Sequence, residues 1–321
     1  MPKKIIPAPK TQKGVSPNRG ILELDRFTQE NLSTWQSASE DLDQLQGLLF
    51  FALEPARRQL RADLISALQM QPAKTQLIND WLRVVTYQYS DEPLSCAGSL
   101  HEYGGRFNAG ADLDANTLNP WPVLYLAQDF ATAFREKFQL EHDGVVDGLS
   151  ANELSLGQVA SHATLYLKGE IKNVFDMTSP SSLNGIAKLL GKIKMPEEAK
   201  ACMKRLKISN KVLLMINTGQ QLYDTIIKTN WRVLPIQFGL PAQSHIIAEL
   251  VRAAGFEGIL YASTKGQKRC LAVFPENLAT GSFVELRDKA TRHTKIHRLD
   301  IHTSAQLTGW HTLPANFKHV G

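Results

Sequence analysis

Near residue 81 the hydrophobic pattern changes its period, and that change limits the folds open to this chain more than any other feature. From about 23 to 80, stretches such as "DLDQLQGLLFFAL" and "ARRQLRADLISALQM" place apolar residues three and four apart, the spacing of a helix face. Pro55 separates two helices and Pro72 ends the second, because proline lacks an amide hydrogen and clashes with the preceding turn. From 81, "WLRVVTYQY" alternates and is rich in Val and Tyr, so a strand is expected there.

Downstream the two periods mix. "VLYLA" at 123–127 reads as a short strand, and Asp129 is placed to cap a helix over "FATAFREKFQL". Residues 141–160 read as a loop, then "ATLYLKGEI" and "NVFDMT" as two strands. Residues 181–230 read as mostly helical. "SHIIAELVRAAGF" is an amphipathic helix with Gly255 in the position of a helix-terminating glycine, and "GILYAS" and "CLAVF" are strands flanking a turn with Gly266. No regular strand–helix–strand repeat appears. The expected class is therefore α+β, with a mixed or largely antiparallel sheet behind a helical N-terminal extension.

Charge is unevenly placed. Residues 1–20 hold five Lys or Arg and no acid, and residues 286–321 hold six against two Asp. With a net charge of +5, residues 21–285 then sum to −4. The basic character sits at two ends read as a disordered tail (1–20) and a basic tail (286–321), and no basic stripe crosses the fold to bind nucleic acid. Cys96, Cys202 and Cys270 stand alone, so no disulfide framework is expected and a reducing cytoplasm is the default setting. No secretory leader is visible and no apolar run spans a bilayer.

Several chemistries have no support. The phosphate-loop and dinucleotide-fold glycine motifs are absent, as is a G-x-S-x-G elbow. His293 and His297 stand one helical turn apart near His302, but no carboxylate completes a ligand set, so no metal is expected. What remains is an ordered set of polar residues near strand ends: Arg83, Arg106 in "YGGRFNAG", Tyr125, Glu136 and Ser263. Glu136 sits at the edge of the apolar arc of its helix, half sheltered. Each has a plain alternative: Arg106 as an ion pair with Glu102 or Glu136, Tyr125 as a core aromatic, Ser263 as a turn residue.

"GGRFNAG", "VLYLAQDFATAFRE" and "AGFEGILYAST", in that order, resemble the RES domain, a family named for an arginine, a glutamate and a serine. The resemblance covers about 80–285, leaving 21–80 as an extension and 181–230 as a helical insertion. It implies a fold like that of ADP-ribosyltransferase-type toxins and consumption of NAD⁺, by phosphorolysis or hydrolysis of the nicotinamide–ribose bond. Many members are toxins of toxin–antitoxin pairs, so a protein antitoxin or immunity partner is implied, with self-association also open. By position, the family's arginines match Arg106 and Arg83, its tyrosine Tyr125, its glutamate Glu136 and its serine Ser263. Two features depart from the family: a longer loop between Arg106 and Tyr125, and Ala262 where a proline usually precedes the serine, which leaves Thr264 as an alternative.

The residue types suit that chemistry. NAD⁺ enters as substrate, with inorganic phosphate as a candidate co-substrate and no bound cofactor. Arg83 and Arg106 suit pyrophosphate oxygens, and Gly104 and Gly105 allow close approach of the backbone to a ligand. An ionised Glu136 suits an oxocarbenium-like transition state, Tyr125 the nicotinamide or ribose, and Ser263 an amide or hydroxyl. No histidine stands beside Ser263 to activate it as a nucleophile. Two other readings stay open: ADP-ribose transfer to a macromolecule, and a non-catalytic nucleic-acid-binding module using the basic ends.

Overall fold

A computed structural model describes residues 29–114, 116–140, 145–146, 149–150, 161–208, 215–287 and 293–309. The chain divides into two compact units, one of residues up to 58 with 193–215, the other of residues 59–192 with 216–321. The expected tail of 1–20 lies outside the described residues.

In the first unit the helix Gln29–Phe51 packs on the helix Glu197–Arg205. Leu45 is buried with Ala199, Cys202 and Met203, which lie three and four apart on one helix face. The Arg205 guanidinium grips both oxygens of Asp41, with contacts from 2.6 to 3.2 Å. The N-terminal extension and part of the 181–230 insertion are thus one structural piece. The extension does not run to residue 80: residues 59–80 fold with the second unit.

The second unit is built on strands β1 (Lys74–Thr86), β2 (Gly104–Gly105), β3 (Asn108–Ala109), β4 (Leu124–Ala127), β5 (Val145–Val146), β6 (Leu149–Ser150), β7 (His162–Asp176), β8 (Gly258–Ala262), β9 (Arg269–Val273), β10 (Phe283–Leu286) and β11 (Arg298–Leu299). The main sheet runs β1-β4-β9-β8-β7-β10-β11, and β1 also pairs with β7, so its first five strands close into a ring of pairings. Every pairing in it is antiparallel except β7 with β8. The class is the expected mixed α+β.

Three expectations shift. The first strand begins at Lys74, and the two strands expected around 163–178 are one 15-residue strand, β7. Residues 286–321 are not simply a tail: Leu299 of β11 and Leu307 of the helix Ser304–Thr308 are fully buried. The Arg298 guanidinium lies over the Phe283 ring at 3.8 Å and pairs with Glu285 and Asp300 at 3.3 and 2.9 Å, so its charge is held within the fold.

Strand alternation divides the apolar residues into two clusters. Ile78, Trp81, Leu124, Leu126, Leu167, Leu260 and Leu271 share one face of the sheet. Leu82, Val84, Ala127, Tyr261 and Ala272 share the other, beneath the helices Arg61–Gln69, Phe130–Phe138, Asn184–Leu190 and Gln243–Ala253. The candidate site lies on the helix-covered face. All three cysteines are buried and free. No helix among the described residues is long and apolar enough to cross a membrane.

Candidate functional site

The segment "YGGRFNAG" is a tight hairpin. Gly104 pairs with Ala109 and Gly105 with Asn108, so Arg106 and Phe107 form its two-residue tip. Phe107 turns inward, fully buried, and meets the Tyr261 ring edge-on at 4.7 Å. Arg106 is left facing the other way, part-buried. Gly104 holds φ at +87°, a region that side chains resist. A Cβ on Gly105 would come within 2.6 Å of the Tyr125 hydroxyl. These glycines serve contact with the protein itself, where the sequence suggested approach to a ligand.

Tyr125, on β4, locks that hairpin. Its hydroxyl accepts the Phe107 amide and donates to Asn108 Oδ1, both at 2.9 Å, and Asn108 Oδ1 also accepts the Gly105 amide at 2.9 Å. Burial pushes the Tyr125 pKa well above its ordinary value. The phenol therefore stays protonated and donating across the working pH range.

From the other side the loop is held by His245, which the sequence reading did not single out. The ring is fully buried within the helix Gln243–Ala253. Nδ1 accepts the Ala242 amide at 3.3 Å, which leaves Nε2–H to donate to the Gly105 carbonyl at 2.8 Å. Burial lowers its pKa to about 4, the Arg106 charge adding to that effect and the Gly105 bond opposing it. A lone histidine among apolar helix residues carries no sequence signal for such a role.

Glu136 and Ser263 meet directly. Ser263 Oγ donates to Glu136 Oε1 at 2.5 Å and accepts the amides of Lys265 and Gly266 at 3.0 and 2.8 Å. The serine proton is thus committed to the carboxylate, and both lone pairs are committed to the β8–β9 turn. That turn lies flush on the helix Phe130–Phe138, whose Thr132 and Glu136 share a face one turn apart. Asp129 caps this helix, accepting the Thr132 amide at 2.8 Å, as its sequence predicts.

Arg106 pairs with neither Glu102 nor Glu136. Nη1 donates to the carbonyls of Ile226 and Ile227 at 2.8 and 2.9 Å, and Nη2 to Thr264 Oγ1 at 3.4 Å. Among the described residues no carboxylate lies within ion-pair distance of it. The carbonyls come from the end of the one-turn π-helix Asp224–Lys228, which fixes one guanidinium nitrogen and leaves Nε and part of Nη2 to a ligand. Beside it opens a cavity of about 430 Å³ lined by Arg106, Gln139, Lys228, Thr229, Asn230, Trp231, Arg232, Thr264 and Lys265. Residues 228–232 form much of its wall, a contribution that sequence reading did not assign to 181–230.

Arg83 lies apart from this cluster. Leu82 pairs with Ala127, so the neighbouring Val84 and Tyr125 share the helix-covered face and Arg83 projects to the opposite one. There its Nη2 donates to the Ser95 carbonyl at 2.8 Å. Burial lowers its pKa. A pyrophosphate clamp shared by Arg83 and Arg106 has no basis in this arrangement. Among the described residues no group of three His, Cys, Asp or Glu could hold a metal ion.

No family model matches the chain, and no curated protein matches it. Among solved structures, a chain of the M. tuberculosis MbcT–MbcA toxin–antitoxin complex matches at 14% identity and a TM-score of 0.40, over 76% of this chain and 94% of that chain. A likeness so distant carries no weight for the fold or for the reaction, and the site stands on its own geometry.

Proposed function

We propose that the protein is an NAD⁺-consuming enzyme that cleaves the nicotinamide–ribose bond and acts as a toxin held in check by a protein partner. The observation that carries this reading is the Glu136–Ser263 pair beside the Arg106 cavity. A carboxylate with one oxygen fixed at 2.5 Å by a serine hydroxyl, itself fixed by two backbone amides, is held in place before any substrate arrives. Its second oxygen is free of that bond and can face the positive charge that develops on the ribose as nicotinamide departs.

Arg106 supplies the anion end. Its Nε and Nη2 edge can take one phosphate of the dinucleotide while the Ile226 and Ile227 carbonyls hold the other nitrogen still. Tyr125 acts through the hairpin rather than on the ligand, because its hydroxyl is already committed to Phe107 and Asn108. Ser263 is a positioning residue for the same reason. Thr264, which lines the cavity and meets Arg106, is the hydroxyl available to a ligand.

Incubation of the purified protein with NAD⁺, with and without inorganic phosphate, tests the reading. Nicotinamide release is expected, and absence of release under both conditions would refute it. Dependence on phosphate identifies phosphorolysis, and free ADP-ribose identifies hydrolysis. Label from adenylate-labelled NAD⁺ attached to lysate macromolecules would instead identify transfer. The resemblance to RES toxins motivates the restraining partner, and growth arrest on expression, relieved by Glu136→Gln, is the corresponding cellular outcome.

A further inference from the structure

The helix that carries Glu136 ends on Gln139, which holds φ at +55° and ψ at +34°. Glycine is the usual residue at a left-handed helix end, because a Cβ strains that backbone. A glutamine there is explained by what its side chain does. Part of that role is local: Nε2 donates to the Glu136 carbonyl at 2.5 Å. The bond ties the amide to the turn that presents Glu136, and it fixes which end of the amide is nitrogen. Oε1 and the second Nε2 hydrogen have no partner among the described residues, and Gln139 lines the cavity beside Arg106.

That oxygen differs from its surroundings. The Arg and Lys side chains of the lining and the Trp231 indole carry donors alone. Asn230 Oδ1, the other side-chain carbonyl oxygen there, accepts the Arg232 amide at 3.2 Å, and Thr264 Oγ1 is met by Arg106 at 3.4 Å. Many side chains of the lining can therefore serve a ligand's acceptors. A ligand N–H meets an uncommitted side-chain carbonyl at Gln139.

We propose that Gln139 recognises the carboxamide of the nicotinamide group, with Oε1 accepting its N–H and Nε2–H donating to its oxygen. The proposal rests on the reading of the substrate as a nicotinamide dinucleotide and assigns the subsite of its leaving group. The adenine amino group is the other N–H donor of such a ligand. The carboxamide is favoured because Gln139 stands three residues from Glu136, the group that faces the ribose from which nicotinamide departs.

The test compares NAD⁺ with its nicotinic acid counterpart, in which a carboxylate replaces the carboxamide. Arg106 and Arg232 line the cavity with no carboxylate at ion-pair distance among the described residues, so charge alone favours the acid. A contact that reads the amide reverses that order. In the wild type, kcat/KM for release of the pyridine is expected to favour the carboxamide by roughly tenfold or more. Gln139→Gly, which suits the left-handed backbone, should lose that preference while keeping native circular dichroism. Nicotinamide hypoxanthine dinucleotide, which lacks the adenine amino group, should be discriminated equally by both proteins. Saturation-transfer NMR with nicotinamide and nicotinic acid reads the same preference without turnover.

Equal or reversed preference in the wild type overturns the proposal, as does a preference that survives Gln139→Gly. Discrimination against the hypoxanthine dinucleotide that vanishes in Gln139→Gly places the residue at adenine and overturns it too. If no dinucleotide is cleaved while the wild type alone still binds nicotinamide over nicotinic acid, the cleavage reading fails and the carboxamide site stands. No cleavage and no binding of either pyridine overturns both.

Discussion

His245 makes the stability of this protein pH-dependent in a calculable way. In the unfolded chain its imidazole titrates near its ordinary value of 6.5, and in the fold near 4. The folded state therefore resists protonation that the unfolded state accepts. This contribution is fully present above pH 6.5, falls as pH drops from 6.5 toward 4, and is gone below 4. The gap is worth roughly 3 kcal/mol across that window, with about half of it lost by pH 5.5. Burial is behind it, with the Arg106 charge adding and the Nε2 bond to the Gly105 carbonyl opposing, in a ring packed 5.3 Å from Trp231. Urea midpoints for the wild type and for His245→Gln at pH 7.5, 6.5, 5.5 and 4.5 read this directly. The glutamine can keep a donor to Gly105 but does not titrate, so the difference between the two proteins isolates the imidazole from the carboxylates. The wild type should lose stability faster than the variant below pH 6.5. Parallel curves would refute the assignment of a buried, neutral His245.

Three substitutions test the hairpin and its anchor. Tyr125→Phe strands the Phe107 amide and removes a donor from Asn108, and should cost about 1–3 kcal/mol in chemical denaturation. It should affect KM for the dinucleotide through Arg106 placement more than it affects kcat. Gly105→Ala forces a methyl against the Tyr125 hydroxyl and against two carbons of its ring at 2.8 Å, and should destabilise by about 1–3 kcal/mol; because the ring carbons persist in Tyr125→Phe, a double-mutant cycle should show most of that cost retained in the phenylalanine background. Ser263→Ala frees Glu136 and leaves the Lys265 and Gly266 amides without their acceptor, so kcat should fall by roughly tenfold or more while KM changes little.

What could be read from sequence was local. The Asp129 cap, the Gly255 helix end and the β8–β9 hairpin depend on residues within a few positions of one another, and their patterns are visible in one dimension. The pairing of Glu136 with Ser263 joins residues 127 apart; the order of a family motif singles out both residues but does not pair them. The face occupied by Arg83 required the register of β1 against β4 and β7, which is interrupted by a bulge between Asn79 and Trp81. His245 and the 228–232 wall act through tertiary contacts with a hairpin more than a hundred residues earlier, and no periodicity marks them. The basic C-terminal stretch concealed β11 because two residues are too short to show alternation.

The account centres on Glu136 as the group that faces developing positive charge. Nicotinamide release from a saturating dinucleotide, compared between wild type and Glu136→Gln, tests it most directly. The substitution keeps the shape and leaves an oxygen to accept from Ser263, while removing the charge. The variant is expected to fold, to bind the dinucleotide with similar affinity and to lose at least about a hundredfold in kcat, the scale for removing one preorganised electrostatic group. A variant that turns over within a few-fold of wild type would contradict the account.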